Sequence, residues 1–252
     1  MLPISGGVCT VCGERIFSPY AFADGETESR CGLCRRIQPA FARAAAYGSY
    51  ESGLRELIHL LKYGGVRPAA NVLGRMLAEA IATLEPSFPL DSMAVIPVPL
   101  HRTKLRQRGF NQAELIARAA VKAAVNTAVK MSNPARLHLC AAVLTRKRDT
   151  ASQIGLTTHQ RRENLRGAFG VAHPEVVKGR EVLVVDDVYT TGATVSECAR
   201  VLRRAGATKV WVATVARTLK VSAQHVEIRS HYDETEEASG VREVSLARAV
   251  GG

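Results

Sequence analysis

One segment, residues 182–194, limits what this 252-residue chain can fold into. It reads Val-Leu-Val-Val-Asp-Asp-Val-Tyr-Thr-Thr-Gly-Ala-Thr. Four apolar residues in a row are typical of a buried strand, and the small residues that follow are typical of a turn entering a helix. Two adjacent acids at the end of a buried strand are costly unless something binds them. Asp186 and Asp187 are therefore predicted to face a ligand at the carboxyl edge of a sheet, where open α/β sheets bind ligands.

The turn after this strand has the composition of an anion site. Backbone N–H groups at the start of a helix favour negative charge, and a glycine lets the backbone approach the ligand closely. A plain helix cap would also use Thr and Asp, but it would leave the acid pair without a role. Carboxylates can accept hydrogen bonds from the hydroxyls of a ribose whose 5′-phosphate the turn holds. The segment thus predicts a site for a phosphorylated ribose, most simply phosphoribosyl pyrophosphate, with the phosphate at Thr190, Thr191, Gly192, Ala193 and Thr194.

Helix and strand patterns alternate along the rest of the chain. Apolar residues recur at helical spacing from Leu54 to Leu61, and a second helix is predicted to begin near Pro68. Short strands are predicted at 94–96 and 209–216, and Asn111 is placed to cap a helix. This alternation predicts an α/β fold, with a parallel sheet and helices on both faces. Residues 145–170 are basic and have no clear period, so we expect a functional loop there.

Four cysteines near the start predict a separate metal module. Cys9 and Cys12 form one pair two residues apart, and Cys31 and Cys34 form another. This spacing is typical of a structural zinc site with four thiolate ligands. Disulfides are the alternative, although they are unstable in a reducing cytoplasm. We predict a zinc ribbon at residues 1–38, a ligand-binding domain at 39–220 and a disordered polar tail at 221–252.

The net charge of +11 is concentrated in one stretch. Residues 101–170 carry 14 Lys or Arg and three Asp or Glu, an excess equal to that of the whole chain. Such a field attracts phosphates of a small ligand or of a nucleic acid, although it also serves solubility. An extended loop would place alternate residues on one side to follow a nucleic-acid backbone, whereas a helix would spread them. The candidates are Arg102, Lys104, Arg106, Arg108, Arg161 and Arg162.

The sequence predicts that the protein is located in the cytoplasm. No run of about 18 apolar residues is present, so no membrane span is predicted. The first residues also lack the basic and apolar regions of a secretory signal.

Several stretches together resemble a known family. The paired cysteines, Leu57–Gly65, Ile96–His101, Arg108–Gln112, Gln153–Phe169 and the segment 182–194 occur in the order typical of the ComF family of type I phosphoribosyltransferase-like proteins. The resemblance implies that Asp186 and Asp187 contact the ribose hydroxyls, with Mg²⁺ bridging the ligand oxygens. It implies that Pro99, Leu100 and His101 form the pyrophosphate loop. It also implies that residues 145–170 form a mobile hood, in which Arg146, Lys147 and Arg148 are candidates to meet the leaving group. A solvated charged loop is the alternative for this segment.

The resemblance leaves three functions open. The family includes competence proteins, which implies a protein that binds phosphoribosyl pyrophosphate and handles single-stranded DNA with other competence proteins. An active phosphoribosyltransferase with an unidentified acceptor is the second possibility, and a metabolite-sensing regulator without turnover is the third. Purine-salvage relatives carry an acid as general base where this chain has Thr190, so transfer to a neutral purine is disfavoured.

Overall fold

The computed structural model describes residues 7–16, 29–89, 92–125, 131–133, 136–150 and 157–219. The chain divides into two units, residues 1–219 and 220–252, and every described residue lies in the first. The tail predicted at 221–252 lies outside the described residues. The domain boundary predicted after residue 38 stays a prediction.

Helices and strands alternate through the described residues. The helices are α1 (Gly32–Arg36), α2 (Ser52–Lys62), α3 (Ala69–Ala82), α4 (Arg102–Arg108), α5 (Gln112–Val125), α6 (Thr158–Leu165), α7 (Pro174–Val177) and α8 (Ala193–Arg204). The strands are β1 (Arg43–Ser49), β2 (Met93–Pro97), β3 (Leu137–Leu139), β4 (Leu144–Arg146), β5 (Phe169–Val171), β6 (Glu181–Tyr189) and β7 (Lys209–Arg217). A short 3₁₀ turn at Glu85–Ser87 follows α3.

Five strands form one parallel sheet in the order β1-β7-β6-β2-β3. Strand β6 lies at its centre, with Pro97 of β2 opposite Val185 and Thr214 of β7 opposite Asp186. Strands β4 and β5 pair separately as an antiparallel ribbon. The parallel α/β sheet predicted from the sequence is confirmed.

The alternation of side chains along β6 builds two cores. Val182 and Val184 pack on one face with helix α8, whereas Leu183 and Val185 pack on the other face with α2, α3 and α5. Successive side chains of a strand point to opposite faces, so both faces of a central parallel strand must be apolar. This explains the unbroken apolar run before the acid pair.

Several elements differ from the prediction. Strand β1 was not predicted, because its sequence Arg-Ala-Ala-Ala-Tyr-Gly-Ser has little strand propensity and becomes a strand by pairing with β7. Strand β6 continues to Tyr189, beyond the acid pair that was expected to end it. The prediction of a loop at 145–170 is wrong for the described residues, since this segment contains the end of β4, helix α6 and the start of β5.

Candidate functional site

The acid pair lies at the carboxyl end of the central strand, among buried groups. Asp186 and Asp187 are both buried, and the backbone N–H of Asp187 donates to Oδ1 of Asp186 at 2.9 Å. Lys62, the last residue of α2, forms an ion pair with Asp187. The sequence analysis missed Lys62 as a site residue because it is distant along the chain, although the Leu57–Gly65 stretch that contains it carried part of the resemblance.

The two carboxylates have opposite electrostatic surroundings. Burial raises the pKa of Asp186 well above its ordinary value, and the charge of neighbouring Asp187 raises it further. Burial alone would also raise the pKa of Asp187, but the charge of Lys62 and the hydrogen bonds from Asp186 and Lys62 together outweigh burial and hold that pKa below the ordinary value. Burial alone would lower the pKa of Lys62, but the ion pair with Asp187 keeps that pKa above its ordinary value. Asp187 is thus ionised, with its charge balanced by Lys62, whereas the neighbouring Asp186 resists ionisation.

The turn after β6 leads directly into α8. Gly192 has a φ of +74°, in the left-handed region that favours glycine, and the ring of Tyr189 occupies the space a Cβ at this position would need. Helix α8 begins at Ala193, whose N–H lies 3.4 Å from Oγ1 of Thr191. The first turn of this 12-residue helix therefore points its N–H groups toward the edge where the acid pair lies.

The loop predicted to hold pyrophosphate lies next to this edge. The N–H of Val98 donates to the carbonyl of Val185 at 2.8 Å, and Asn111 donates to the carbonyl of Val98 at 3.0 Å. Pro99 and Leu100 follow this anchored residue. His101 caps helix α4, and its Nδ1 lies 3.5 Å from Oδ2 of Asp149. The structure thus brings this loop and the start of the hood segment, residues 145–170, together.

The hood segment brings two arginines to the acid pair and the turn. Arg146 lies over the ring of Phe169 at 5.5 Å, donates to Thr150, and is close enough to Asp186 for their charges to interact. Burial lowers the pKa of Arg146. Arg161 on α6 donates to Oγ1 of Thr190 at 3.3 Å. Arg161, a nucleic-acid candidate in the sequence analysis, is thus positioned beside the candidate phosphate turn.

Arg148 and Arg162, also in the hood segment, make other contacts, although Arg162 shares a cleft with Thr191 and Ala193 of the candidate phosphate turn. Arg148 donates to the backbone carbonyls of Asn164 and Arg166, the latter at 2.7 Å, and so ties the start of the hood segment to the end of α6. Its role toward a leaving group stays a prediction. Arg162 lines a cleft of about 320 Å³ beside α1 and the first half of α8.

The basic stretch after His101 is a helix, so the extended-loop hypothesis is wrong. In α4, Arg102 and Arg106 share one side, and Lys104 and Arg108 share another. A sequence with cations at every second position suits either structure, and the cap by His101 with the left-handed Gly109 at the end decides for the helix.

The four predicted metal ligands come together. The sulfur atoms of Cys9, Cys12, Cys31 and Cys34 all lie within 4.8 Å of one another. The Sγ atoms of Cys12 and Cys31 are 3.7 Å apart, which suits a tetrahedral zinc ion with Zn–S bonds of about 2.3 Å. Hydrogen bonds from Cys12 and Cys34 lower the pKa of Cys9, and the same contacts raise the pKa of Cys34. Thiols this close cannot all ionise without a cation, so this group could hold a metal such as zinc.

A buried arginine joins the cysteine module to the sheet. Arg217, the last residue of β7, donates to the carbonyl of Cys12 and pairs with Glu14 at 2.9 Å. Its guanidinium lies 4.5 Å from the ring centroid of Tyr189, the residue that precedes the candidate phosphate turn. The N–H of Ala44 on edge strand β1 also donates to Val11 of the module at 2.7 Å. The sequence analysis missed Arg217, because nothing in the local pattern marks it.

Comparisons with known proteins define the class. The phosphoribosyl transferase domain family matches residues 116–246, about half of the chain. DNA utilization protein YhgH of Escherichia coli O157:H7 is 32% identical over 220 residues, which cover 84% of this chain and 91% of that protein. Competence protein F of Haemophilus influenzae is 30% identical, with 84% and 90% coverage. Competence protein ComFC of Bacillus subtilis is 23% identical, with 81% and 74% coverage.

The chain therefore belongs to the phosphoribosyl transferase domain family and to the ComF family, with relatives named DNA utilization protein YhgH, Competence protein F and Competence protein ComFC. The resemblance found in the sequence is confirmed. In the part of the chain that the structure describes, no helix combines the length and apolarity needed to span a bilayer.

Proposed function

We propose that this protein binds phosphoribosyl pyrophosphate at the carboxyl edge of the sheet and acts in the handling of single-stranded DNA. One observation supports the first part above all. The buried acid pair on the central strand is followed, two residues later, by the turn that opens helix α8. A protein would not retain a carboxylate that resists ionisation at this position for stability alone, because its burial opposes folding at neutral pH.

In this proposal, different groups of the chain bind different parts of the ligand. Asp186 and Asp187 accept hydrogen bonds from the ribose hydroxyls. The first-turn N–H groups of α8 and the hydroxyls of Thr190, Thr191 and Thr194 donate to the 5′-phosphate. Mg²⁺ would add charge compensation between ribose hydroxyls and pyrophosphate, held by ligand oxygens near the acid pair. A further cation at this position would stabilise the ionised form of Asp186, whose pKa is raised.

The DNA part of the proposal is supported by the relatives and by charge. The names of two relatives refer to DNA utilization and competence. The basic excess of residues 101–170 suits a polyanion, and the cysteine module packs beside the sheet as a further surface. The predicted partners, single-stranded DNA and other competence proteins, stay proposals, as do zinc as the metal of the cysteine site and the cytoplasm as its location.

Calorimetric titration with phosphoribosyl pyrophosphate and Mg²⁺ tests the metabolite part. The wild type is expected to bind, and an Asp186→Asn/Asp187→Asn variant is expected to bind at least tenfold more weakly, since each lost charged hydrogen bond costs about 1.5–3 kcal/mol. Glu79→Gln/Glu114→Gln removes two negative charges from α3 and α5 as the matched control and should bind like the wild type. Equal binding by the acid-pair variant would refute the proposal.

Turnover is a second candidate function, and the hood segment favours it. Arg146 lies near Asp186 and Arg161 near Thr190, so cations flank both the candidate ribose and phosphate positions. Such placement can stabilise a pyrophosphate leaving group. Thr190 offers no general base, so the acceptor must arrive as a competent nucleophile. Release of pyrophosphate on addition of candidate acceptors would establish this function, and binding without release would favour the regulator.

A further inference from the structure

Several exposed apolar side chains belong to α2, to the residues just after it and to α4, and the two helices approach each other where Arg108 lies over Tyr63. Of the seven large hydrophobic residues exposed among the described residues, four belong to this region: Leu60, Tyr63, Val66 and Leu105. Tyr63 is 73% exposed, the highest value of the seven. The set is here called the α2–α4 surface, together with the neighbouring cations Arg67 and Arg108. Exposed apolar groups gathered in one place mark interaction sites more often than single ones do.

A row of aromatic rings leads from the sheet edge to this surface. Tyr50, directly after β1, has its hydroxyl 2.9 Å from Nε2 of His59. The ring centroids of His59 and Tyr63 are 5.3 Å apart. The guanidinium of Arg108 lies 5.5 Å from the ring centroid of Tyr63. Lys62, which pairs with Asp187, is close enough to Tyr50 for the two groups to interact electrostatically, so the row begins near the candidate ribose site.

The cations of the same surface suit a chain of phosphates. Helix α4 carries four Lys or Arg and no acidic residue. Arg67 lies 5.2 Å over the ring of Phe110, next to the end of α4. A groove of about 640 Å³ along α2, lined by Arg55, His59 and Leu60 among others, extends the surface. The same cations would repel a second copy of this surface, which argues against self-association.

We propose that the α2–α4 surface binds single-stranded nucleic acid, with a base stacked on Tyr63 and backbone phosphates held by Arg67, Arg108 and Lys104, which shares a side of α4 with Arg108. Unpaired bases stack on exposed aromatic rings, and a guanidinium that already lies over the ring adds a cation–π contribution. Helix α4 has no aromatic residue of its own, and folding brings Tyr63 from α2 to it. The inference rests on the proposed role with DNA and assigns it a surface.

Fluorescence anisotropy with a labelled oligodeoxythymidylate, measured over a range of salt concentrations, tests the assignment. Tyr63→Ala is expected to lower affinity about tenfold with an unchanged salt slope, and Tyr63→Phe to bind like the wild type. Arg108→Gln should reduce the salt slope by about one. The matched controls are Val125→Ala, which removes another exposed apolar side chain, and Arg118→Gln, which removes a surface charge from α5. Both should bind like the wild type.

The outcomes separate this inference from the proposed function. Unchanged DNA affinity in Tyr63→Ala, or no binding by the wild type, would overturn the α2–α4 surface whatever the metabolite does. A dimer in sedimentation velocity that Tyr63→Ala dissociates, with DNA affinity unchanged, would assign the surface to self-association instead. Calorimetry on the same variants should show undiminished binding of phosphoribosyl pyrophosphate. If the wild type does not bind phosphoribosyl pyrophosphate, the metabolite proposal is refuted, whereas the DNA surface is unaffected by that result.

Discussion

Replacing Gly192 by alanine should damage both the stability and the ligand affinity of the protein. The residue has a φ of +74°, a conformation that costs a residue with a Cβ about 1–2 kcal/mol. The new Cβ would also overlap the ring of Tyr189. That ring is buried, with the guanidinium of Arg217 4.5 Å from its centroid and the ring of Phe41 at 6.4 Å, so it cannot turn away freely. Overpacking of this kind adds about 1–3 kcal/mol.

Gly167→Ala is the matched control for this substitution. Gly167 has a similar φ of +69°, but among the described residues no atom beyond its chain neighbours lies within 4 Å of the position of its added Cβ. The free energy of unfolding, measured in urea, should fall by about 1–2 kcal/mol in Gly167→Ala and by about 2–5 kcal/mol in Gly192→Ala. Only Gly192→Ala should also weaken binding of phosphoribosyl pyrophosphate. Equal loss of stability in the two variants would refute the argument that Tyr189 fixes the turn.

Three further predictions concern the acid pair and the cysteine module. Asp186→Asn should raise the free energy of unfolding at pH 7 relative to wild type, and this gain should shrink as the pH falls toward 3.8. The reason is that the raised pKa of Asp186 destabilises the folded protein only at pH values where the carboxyl is ionised in the unfolded chain. Urea unfolding at several pH values measures the gain, and a gain that grows in acid would contradict the prediction. Elemental analysis should find one zinc ion per chain, and chelation or Cys12→Ser should lower the melting temperature, whereas a metal-free protein of equal stability would contradict the metal assignment. Glu14→Gln should cost about 3 kcal/mol of unfolding free energy, because it leaves the buried charge of Arg217 without its partner; a loss below 1 kcal/mol would show that the pair is dispensable.

Local patterns sufficed for the centre of the fold. The apolar run of β6 and the helical spacing of α2 predicted their elements, because burial on both faces of a parallel strand and on one face of a helix leaves direct marks in sequence. Asn111 was predicted to cap a helix, and its Oδ1 does accept from the N–H of Ala113 at 3.1 Å, just inside α5. The helix in the hood segment also had a signal, the capping box from Thr157 to Gln160.

Pairings between distant residues could not be predicted in this way. Lys62 beside Asp187, and Arg217 beside Cys12, join positions that no local period relates. Strand β1 owes its form to its neighbour β7 rather than to its own composition. The acid pair could be predicted because two adjacent charges directly after a buried apolar run are unusual. A single Lys at the end of an amphipathic helix is ordinary, so Lys62 gave no such signal.

A crystal structure of the protein with phosphoribosyl pyrophosphate and Mg²⁺ would test the central claim most directly. The account predicts density for the 5′-phosphate at the N-terminus of α8, over Thr190–Thr194, and ribose hydroxyls within hydrogen-bond distance of Asp186 and Asp187. It also predicts that Lys62 gives up part of its contact with Asp187 to the ligand. Ligand density elsewhere, with the acid pair and the turn of α8 unchanged and solvated, would contradict the account.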